Sequence, residues 1–134
     1  MENKRSFGSF GEEYAAEYLR SIGFEIIARN EYVAHEEIDI IARSDEYLIF
    51  AEVKTRRQIQ GEPDRYGRPA TAVNAAKQAH LLSAASEYIR QHADVKGARK
   101  VNIDVIEVYS DPGKRSFAPI SINHIRNAVR KDSL

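Results

Sequence analysis

The chain has 134 residues, a length at which a single domain can bury a core of its own. Its 43% apolar and 30% charged residues exclude a disordered tail and a membrane protein. It contains no cysteine, which excludes a disulfide scaffold, a cysteine-ligated zinc site and a thiol nucleophile. Since neither a membrane-spanning apolar run nor a secretory signal is found, we expect a cytoplasmic protein.

The net charge is zero, but the charges are distributed unevenly along the chain. Residues 1–53 hold 5 basic and 12 acidic side chains, whereas residues 54–100 hold 10 basic and 4 acidic ones. An acidic segment followed by a basic one fits a metal site beside a phosphate-binding surface. A chance distribution of charges that keeps the protein soluble would give the same pattern, so the charge distribution alone does not distinguish a functional site from an ordinary surface.

The first half of the chain predicts one helix and three strands. Ser9 and Glu12 have the spacing of a capping box, which predicts the start of a helix, and Gly23 stands in the usual place of a C-terminal glycine. Three apolar segments then predict strands, which cover residues 24–28, 37–42 and 47–53. The polar segment 29–36 is predicted to be a connection, and the turn at 44–46 makes the last two strands a hairpin.

The second half predicts a long loop, a helix and further sheet. The loop covers residues 55–70, and loops of this length are usually functional or disordered. A helix over 71–92, a strand over 100–109, a short edge strand over 116–120 and a helix over 123–131 capped by Asn123 follow. This order predicts an α/β domain with a central mixed sheet flanked by helices. We expect one domain over 1–134, with its core in about 6–110.

Three charged residues occupy apolar strands, where a purely structural strand has no need for them. Asp39 lies between two isoleucines, and Glu52 and Lys54 share one face at the end of the third strand. The hairpin brings Asp39 beside Glu52, and two adjacent carboxylates repel unless a cation lies between them. Mg²⁺ prefers such oxygen ligands and keeps water molecules for a substrate phosphate. Lys54 would then activate a water molecule or stabilise charge on phosphorus.

These residues carry a resemblance to a known family. Asp39 followed by Glu52-Val53-Lys54 resembles the PD-(D/E)xK motif of metal-dependent nucleases, which is weak on its own. Together with the segments 8–15, 37–42 and 50–56, it makes residues 6–108 similar to the YraN family of predicted bacterial endonucleases. That family is similar in topology to archaeal Holliday junction resolvases. The resemblance implies a restriction-endonuclease-like fold and hydrolysis of DNA phosphodiester bonds, in branched or damaged DNA among others.

The resemblance also implies a role for each matching residue. Asp39 and Glu52 would bind Mg²⁺ or Mn²⁺, and the backbone carbonyl of Val53 would complete the inner ligand set. Lys54 would act on the attacking water or the transition state. Glu12, in the first helix, would support the metal directly or through water. Each has a simpler interpretation, because Glu12 also suits a helix cap and an exposed Glu52–Lys54 pair would stabilise the fold by only about 0–1 kcal/mol.

The nucleic acid itself would be contacted by basic residues that follow the site. We expect Arg56 and Arg57, at the start of the long loop, and Lys77, in the next helix, to contact phosphates, although a solvated surface role is equally compatible with Lys77. The chain departs from the family at two positions, with Glu36 in place of glycine and Asn102 in place of arginine.

Two further alternatives stay open at this point. The first is a non-catalytic module that binds nucleic acid or a protein on a nuclease-like fold. The second is a chain that works only as a homodimer or inside a larger assembly, because a dimer would offer two sites to two strands. Metal binding at the carboxylate pair distinguishes a nuclease from a pure binding module, since the binding module does not require it.

Overall fold

The structure, a computed structural model, describes residues 6–62 and 74–129. The described residues form α1 (Phe7–Ser21), β1 (Glu25–Val33), β2 (Glu36–Arg43), β3 (Tyr47–Arg57), α2 (Ala75–Gln91), a short 3₁₀ turn (Ala93–Val95), β4 (Lys100–Ser110) and β5 (Pro119–Val129). None of the helices in these two ranges is long and apolar enough to cross a membrane.

The five strands form one mixed sheet in the order β1-β2-β3-β4-β5. Only β3 and β4 run parallel, because α2 lies in the crossover between them, while the other neighbours are antiparallel. Leu48 and Phe50 of β3 pack with α2, whereas Ile49 and Ala51 pack with α1. Since alternate residues of a strand face opposite sides, the two helices cover opposite faces of the sheet. The predicted α/β class is confirmed, and the architecture fits a restriction-endonuclease-like core.

The first helix begins three residues earlier than the capping-box pattern predicts. Ser6 is the N-cap, and its side chain accepts a hydrogen bond from the backbone N–H of Ser9 at 3.0 Å. The prediction that Ser9 and Glu12 form a capping box was therefore wrong. The end of the helix was predicted correctly, because Gly23 has a φ of 100°, a conformation that glycine adopts at little steric cost.

Gly11 lets α1 approach β3 closely. A Cβ atom at this position would lie 1.8 Å from Oγ1 and 2.8 Å from Cβ of Thr55, so there is no room for a side chain. The backbones of helix and strand therefore pack directly against each other, and the next residue, Glu12, is held beside the sheet.

The predicted connection over 29–36 is in fact part of a hairpin. β1 continues to Val33, and β2 starts at Glu36 after a two-residue turn. Ala34 and His35 have φ values of 51° and 66°, the positive angles that a type I′ turn needs. Such turns typically carry glycine, asparagine or aspartate, and neither Ala34 nor His35 is one of these, so no turn was predicted here.

The C-terminal prediction was wrong in its helix. Residues 119–129 form the single strand β5 along β4, instead of an edge strand over 116–120 and a helix from Asn123. Asn123 does not cap a helix, because its side-chain amide donates at 2.9 Å to the buried carboxylate of Glu107 in β4. The predicted loop over 55–70 was wrong at its start, since β3 extends to Arg57. Residues 63–70 of that loop lie outside the described ranges, as do residues 71–73 of the predicted helix over 71–92 and residues 130–131 of the predicted C-terminal helix.

A buried chain of polar groups fastens β5 to the sheet and to α1. Asp104 of β4 is 1% exposed. One of its oxygens lies 2.7 Å from Nε2 of His124, and the other accepts the backbone N–H of Asn127 at 2.9 Å. Nδ1 of His124 lies 2.8 Å from the hydroxyl of Tyr18. Because buried polar groups are costly without partners, these bonds select the strand conformation for this segment.

Candidate active site

The candidate site lies where β2 and β3 separate. Their backbone pairing ends at Ile40 and Ala51, although both strands extend beyond that pair. Asp39 and Glu52 are the next residues on the two strands. The backbone N–H of Val53 donates a hydrogen bond to the side-chain carboxylate of Asp39, at 2.8 Å, instead of to a backbone carbonyl of the neighbouring strand. The side chain thus takes the place of a backbone acceptor and fixes Asp39 at the split.

The carboxyl groups of Asp39 and Glu52 are in contact at this split. Burial raises the pKa of Asp39, which the Val53 hydrogen bond and a hydrogen bond with Glu52 partly offset. Burial, followed by the charge of Asp39, raises the pKa of Glu52 to about 7. Two adjacent carboxylates repel each other when both are ionised, and a cation bound between them would remove that repulsion.

Glu12 belongs to the same acidic cluster. Its carboxylate accepts hydrogen bonds from Asn30 at 2.7 Å and from Arg29 at 3.3 Å. Burial, followed by the charge of Asp39, raises the pKa of Glu12 above the ordinary value. The helix-cap interpretation is therefore wrong, and the side chain is aimed at the sheet, as a role in supporting a metal requires.

A cleft of about 480 Å³ opens beside this cluster on the α1 side of the sheet. The first turn of α1 forms one wall, and its other walls include Glu12, Glu37, Asp39 and Val53. Strand alternation puts Glu37 on the same face as Asp39, where it either joins the site or forms a solvated strand end. It lies in this cleft, and its charge raises the pKa values of Glu12 and Asp39.

The donor set fits a hard divalent ion that keeps water molecules. Within residues 6–62 and 74–129, no three carboxylate or imidazole groups converge into a closed metal cage. Asp39 and Glu52 do supply two adjacent carboxylates whose raised pKa values indicate an excess of negative charge. Mg²⁺ is commonly held by one or two carboxylates and completes its shell with water and phosphate oxygens.

Lys54 lies beside this pair on β3. It is two residues beyond Glu52 and so extends from the same face of the strand, as the alternation predicts. Its positive charge lowers the pKa of Glu52. Its ammonium makes no ion pair with any carboxylate of the two described ranges. The group is thus close enough to act on the site electrostatically and is not bound to a structural partner there.

Lys77 of α2 also reaches the site. Its ammonium is hydrogen-bonded to Glu36 and lies 3.8 Å from a carboxylate oxygen of Glu52. Burial alone would lower the pKa of Lys77, but Glu36, Glu52 and Asp39 together raise it, so the ammonium stays charged. The interpretation of Lys77 as a solvated surface lysine was therefore wrong.

The two arginines predicted to contact nucleic acid also have intramolecular partners. Nε of Arg56 lies 3.7 Å from the fully buried carboxylate of Glu107. Arg57 lies over the ring of Phe7, 4.2 Å from its centre, and donates to the backbone carbonyl of Arg115 at 2.9 Å. Arg57 is exposed, so it keeps a free face toward solvent, whereas Arg56 is largely covered.

Sequence reasoning missed two partners of the site. Asn30, which holds Glu12, was placed in a polar connection, although it interrupts the β1–β2 pairing with a φ of 51°. Glu36 was noted only as a departure from the family, and its pairing with Lys77 joins β2 to α2 across 41 residues of sequence. No local pattern predicts such pairings, but the unusual Glu36 was itself a signal to look for a cation nearby.

Comparison with known proteins places the chain in a family. The model of the family described as "Uncharacterised protein family UPF0102" matches residues 11–108. A UPF0102 protein of Caldicellulosiruptor saccharolyticus is 39% identical over 126 residues, which cover 94% of this chain and 98% of that one. One of Dehalococcoides mccartyi is 43% identical over 90 residues, or 67% of this chain and 70% of that one.

Among solved structures, the chain is slightly similar to Pyrococcus furiosus SfsA in complex with Ca²⁺, with a TM-score of 0.31 and 18% identity. That match covers 92% of this chain and 62% of the SfsA chain. The family assignment rests instead on the sequence matches, which extend over most of the described sheet and both helices. By these matches the chain belongs to the UPF0102 family.

Proposed function

We propose that this chain is a nuclease of the YraN type that hydrolyses DNA phosphodiester bonds with Mg²⁺ or Mn²⁺. The observation that carries the proposal is the contact of Asp39 with Glu52 at the split between β2 and β3, with Lys54 beside them. A fold in which these residues served only stability would not need two partly buried carboxylates that destabilise each other.

Asp39, Glu52 and the backbone carbonyl of Val53 are the groups that would hold the ion, and Glu12 would support it through water. When bound, the ion would neutralise the two carboxylates and the non-bridging oxygens of a phosphodiester. A divalent ion bound between Asp39 and Glu52 would remove the repulsion between the two carboxylates. A bound metal ion would therefore stabilise these two partly buried carboxylates more than it would stabilise a pair of solvated ones.

The remaining groups of the site suit the phosphate and the attacking water. The first turn of α1 forms a wall of the cleft, and the backbone N–H groups of Phe7 and Gly8 have no partner in a preceding turn. Such groups favour anions. Lys54 would hold the water or stabilise the charge on phosphorus. The water oxygen forms the new bond to phosphorus and releases a proton to solvent, the bond to the leaving oxygen breaks, and that oxygen takes up a proton from solvent.

Branched or damaged DNA is the substrate class that we propose from the resemblance to the YraN family. A homodimer or larger assembly would present two such sites to two strands. The exposed guanidinium of Arg57, near the first turn of α1, is the group that we expect to contact the phosphate backbone outside the cleft.

The test is cleavage of end-labelled single-stranded, duplex, flap and four-way-junction DNA, with an RNA strand for comparison. Each substrate is incubated with Mn²⁺, Mg²⁺ or EDTA. Asp39→Ala and Lys54→Ala are compared with the wild type and with two matched controls, Glu25→Ala and Lys100→Ala. Glu25 is paired with Arg43, four residues from Asp39 along β2, and Lys100 lies at the start of β4, away from the split.

We expect cleavage that depends on the metal, that is lost in Asp39→Ala and Lys54→Ala, and that is kept in both controls. Loss of one catalytic group typically reduces such rates by about 100-fold or more. Binding of DNA without cleavage, unchanged by EDTA and by both site variants, would overturn the nuclease proposal in favour of a binding module.

A further inference from the structure

The position of Lys77 bears on how many metal ions the site takes. Its ammonium occupies the space between Glu36 and Glu52, in contact with the first and 3.8 Å from the second. All three side chains are largely covered, with exposed fractions of 31% for Lys77 and 14% for each carboxylate. The cation is therefore a built-in part of the site and not a mobile surface group.

The geometry points to a site for one divalent ion, with Lys77 as a resident positive charge in the place where a second ion would bind. This inference rests on the proposed function, since it takes Asp39 and Glu52 as the metal ligands. It deepens that function, because it states how many ions the site accepts and which residue limits the number.

Charge balance supports this assignment. Glu36, Glu37, Asp39 and Glu52 carry four negative charges when ionised, while Glu12 is paired with Arg29. The ammonium groups of Lys54 and Lys77 neutralise two of these charges, and a single divalent ion neutralises the other two. A second ion would leave this part of the site with an excess of positive charge and would find its carboxylates already paired.

Space supports it as well. In two-metal sites the ions lie about 3.5–4 Å apart and share a carboxylate. Glu52 contacts Asp39 on one side and faces Lys77 on the other, so the far side of Glu52 is where a second ion would lie. Such an ion needs oxygen ligands at about 2.0–2.1 Å, and an ammonium already bonded to Glu36 excludes it.

Lys77 explains how this chain accommodates Glu36 at a position where the family has glycine. An extra carboxylate near a metal site would attract a further cation, but Lys77 meets it from α2 and cancels its charge. His80, one turn further along α2, has its Nδ1 3.6 Å from the other oxygen of Glu36. Removal of the ammonium would thus leave the carboxylates of Glu36 and Glu52 without the cation that lies between them.

The test counts bound Mn²⁺ on the metal-free protein by electron paramagnetic resonance and titration calorimetry, without any substrate. We expect one ion per chain in the wild type and in Lys77→Arg, and two in Lys77→Met, with the spectrum of a coupled Mn²⁺ pair. The double variant Lys77→Met/Glu36→Gln should return to one. Lys100→Met is the matched control, because it removes a lysine with a loose partner, Glu46 at 3.9 Å, outside the site.

The outcomes separate the two proposals. Two ions in the wild type, or one ion in a folded Lys77→Met variant, would overturn the role of Lys77 and leave the nuclease proposal intact. No bound ion in the wild type would overturn both. If Lys77→Met does not fold, Lys77→Ala provides the same count, and the wild-type number still tests the inference by itself.

Discussion

Replacement of Glu52 by glutamine should change how stability depends on pH. In the metal-free protein, burial and the charge of Asp39 raise the pKa of Glu52 from 4.5 to about 7. A carboxyl with a raised pKa binds its proton more tightly in the folded than in the unfolded state. Stability therefore falls as the pH rises from about 4.5 to about 7, because folding then forces an unfavourable charge into the site. Glu52→Gln removes that charge and should remove this part of the fall.

The raised pKa sets the size of the effect. One pKa unit corresponds to about 1.4 kcal/mol, and most of the shift of Glu52 is expressed between pH 5 and pH 8. The wild type should lose roughly 2–3 kcal/mol of unfolding free energy over that range relative to Glu52→Gln. The side chain is 14% exposed, so solvent screens little of this penalty. Asp39 acts in the same direction and adds to the fall in the wild type.

The assay is urea unfolding in EDTA at pH 5 and pH 8, followed by circular dichroism. The difference between wild type and Glu52→Gln at each pH cancels the titration of groups that the two proteins share. Glu46→Gln, an exposed residue in the turn before β3, should follow the wild type. Added Mg²⁺ at pH 8 should stabilise the wild type and have little effect on Glu52→Gln. Parallel stability curves for wild type and Glu52→Gln would refute the reasoning.

Two further substitutions test the packing that holds the site in place. Gly11→Ala should destabilise the protein by about 2 kcal/mol in urea unfolding, because its Cβ would overlap Thr55, while Gly8→Ala, with no atom within 4 Å, should cost nothing. Thr55→Gly should destabilise Gly11→Ala less than it destabilises the wild type, because it also removes the overlap, and equal losses in the two backgrounds would show that the contact is not the cause. His124→Ala should cost roughly 2–4 kcal/mol, since it leaves a buried oxygen of Asp104 without its partner. A double variant that replaces both His124 and Asp104 by apolar residues should cost less than the sum of the single losses, and strict additivity would contradict the pairing.

Features that depend on local periodicity could be predicted from the sequence. Alternation along the third strand placed Glu52 and Lys54 on one face, after Leu48 and Phe50, and the structure has them there. The glycine at position 23 marked the end of the first helix, because its backbone conformation is set locally. The αβββαβ order followed from the periods of the segments and from the turns between them.

The contacts between distant segments could not be predicted in this way. Residues 119–129 have no strong period of their own, and their conformation is set by hydrogen bonds to buried Asp104 and Glu107 in β4. Likewise, the role of Glu12 was decided by Arg29 and Asn30, which lie on a strand whose turn has no sequence signal.

The same holds for the candidate site. Local pattern identified Asp39 and Glu52 as unusual, but their contact depends on the point at which β2 and β3 stop pairing. The pairing of Lys77 with Glu36 depends on the packing of α2 against the sheet. Because periodicity is local, the sequence shows which charged side chains are unusual in an apolar strand. Which charges finally meet depends on strand register and helix packing, which are set by contacts between residues far apart in the chain.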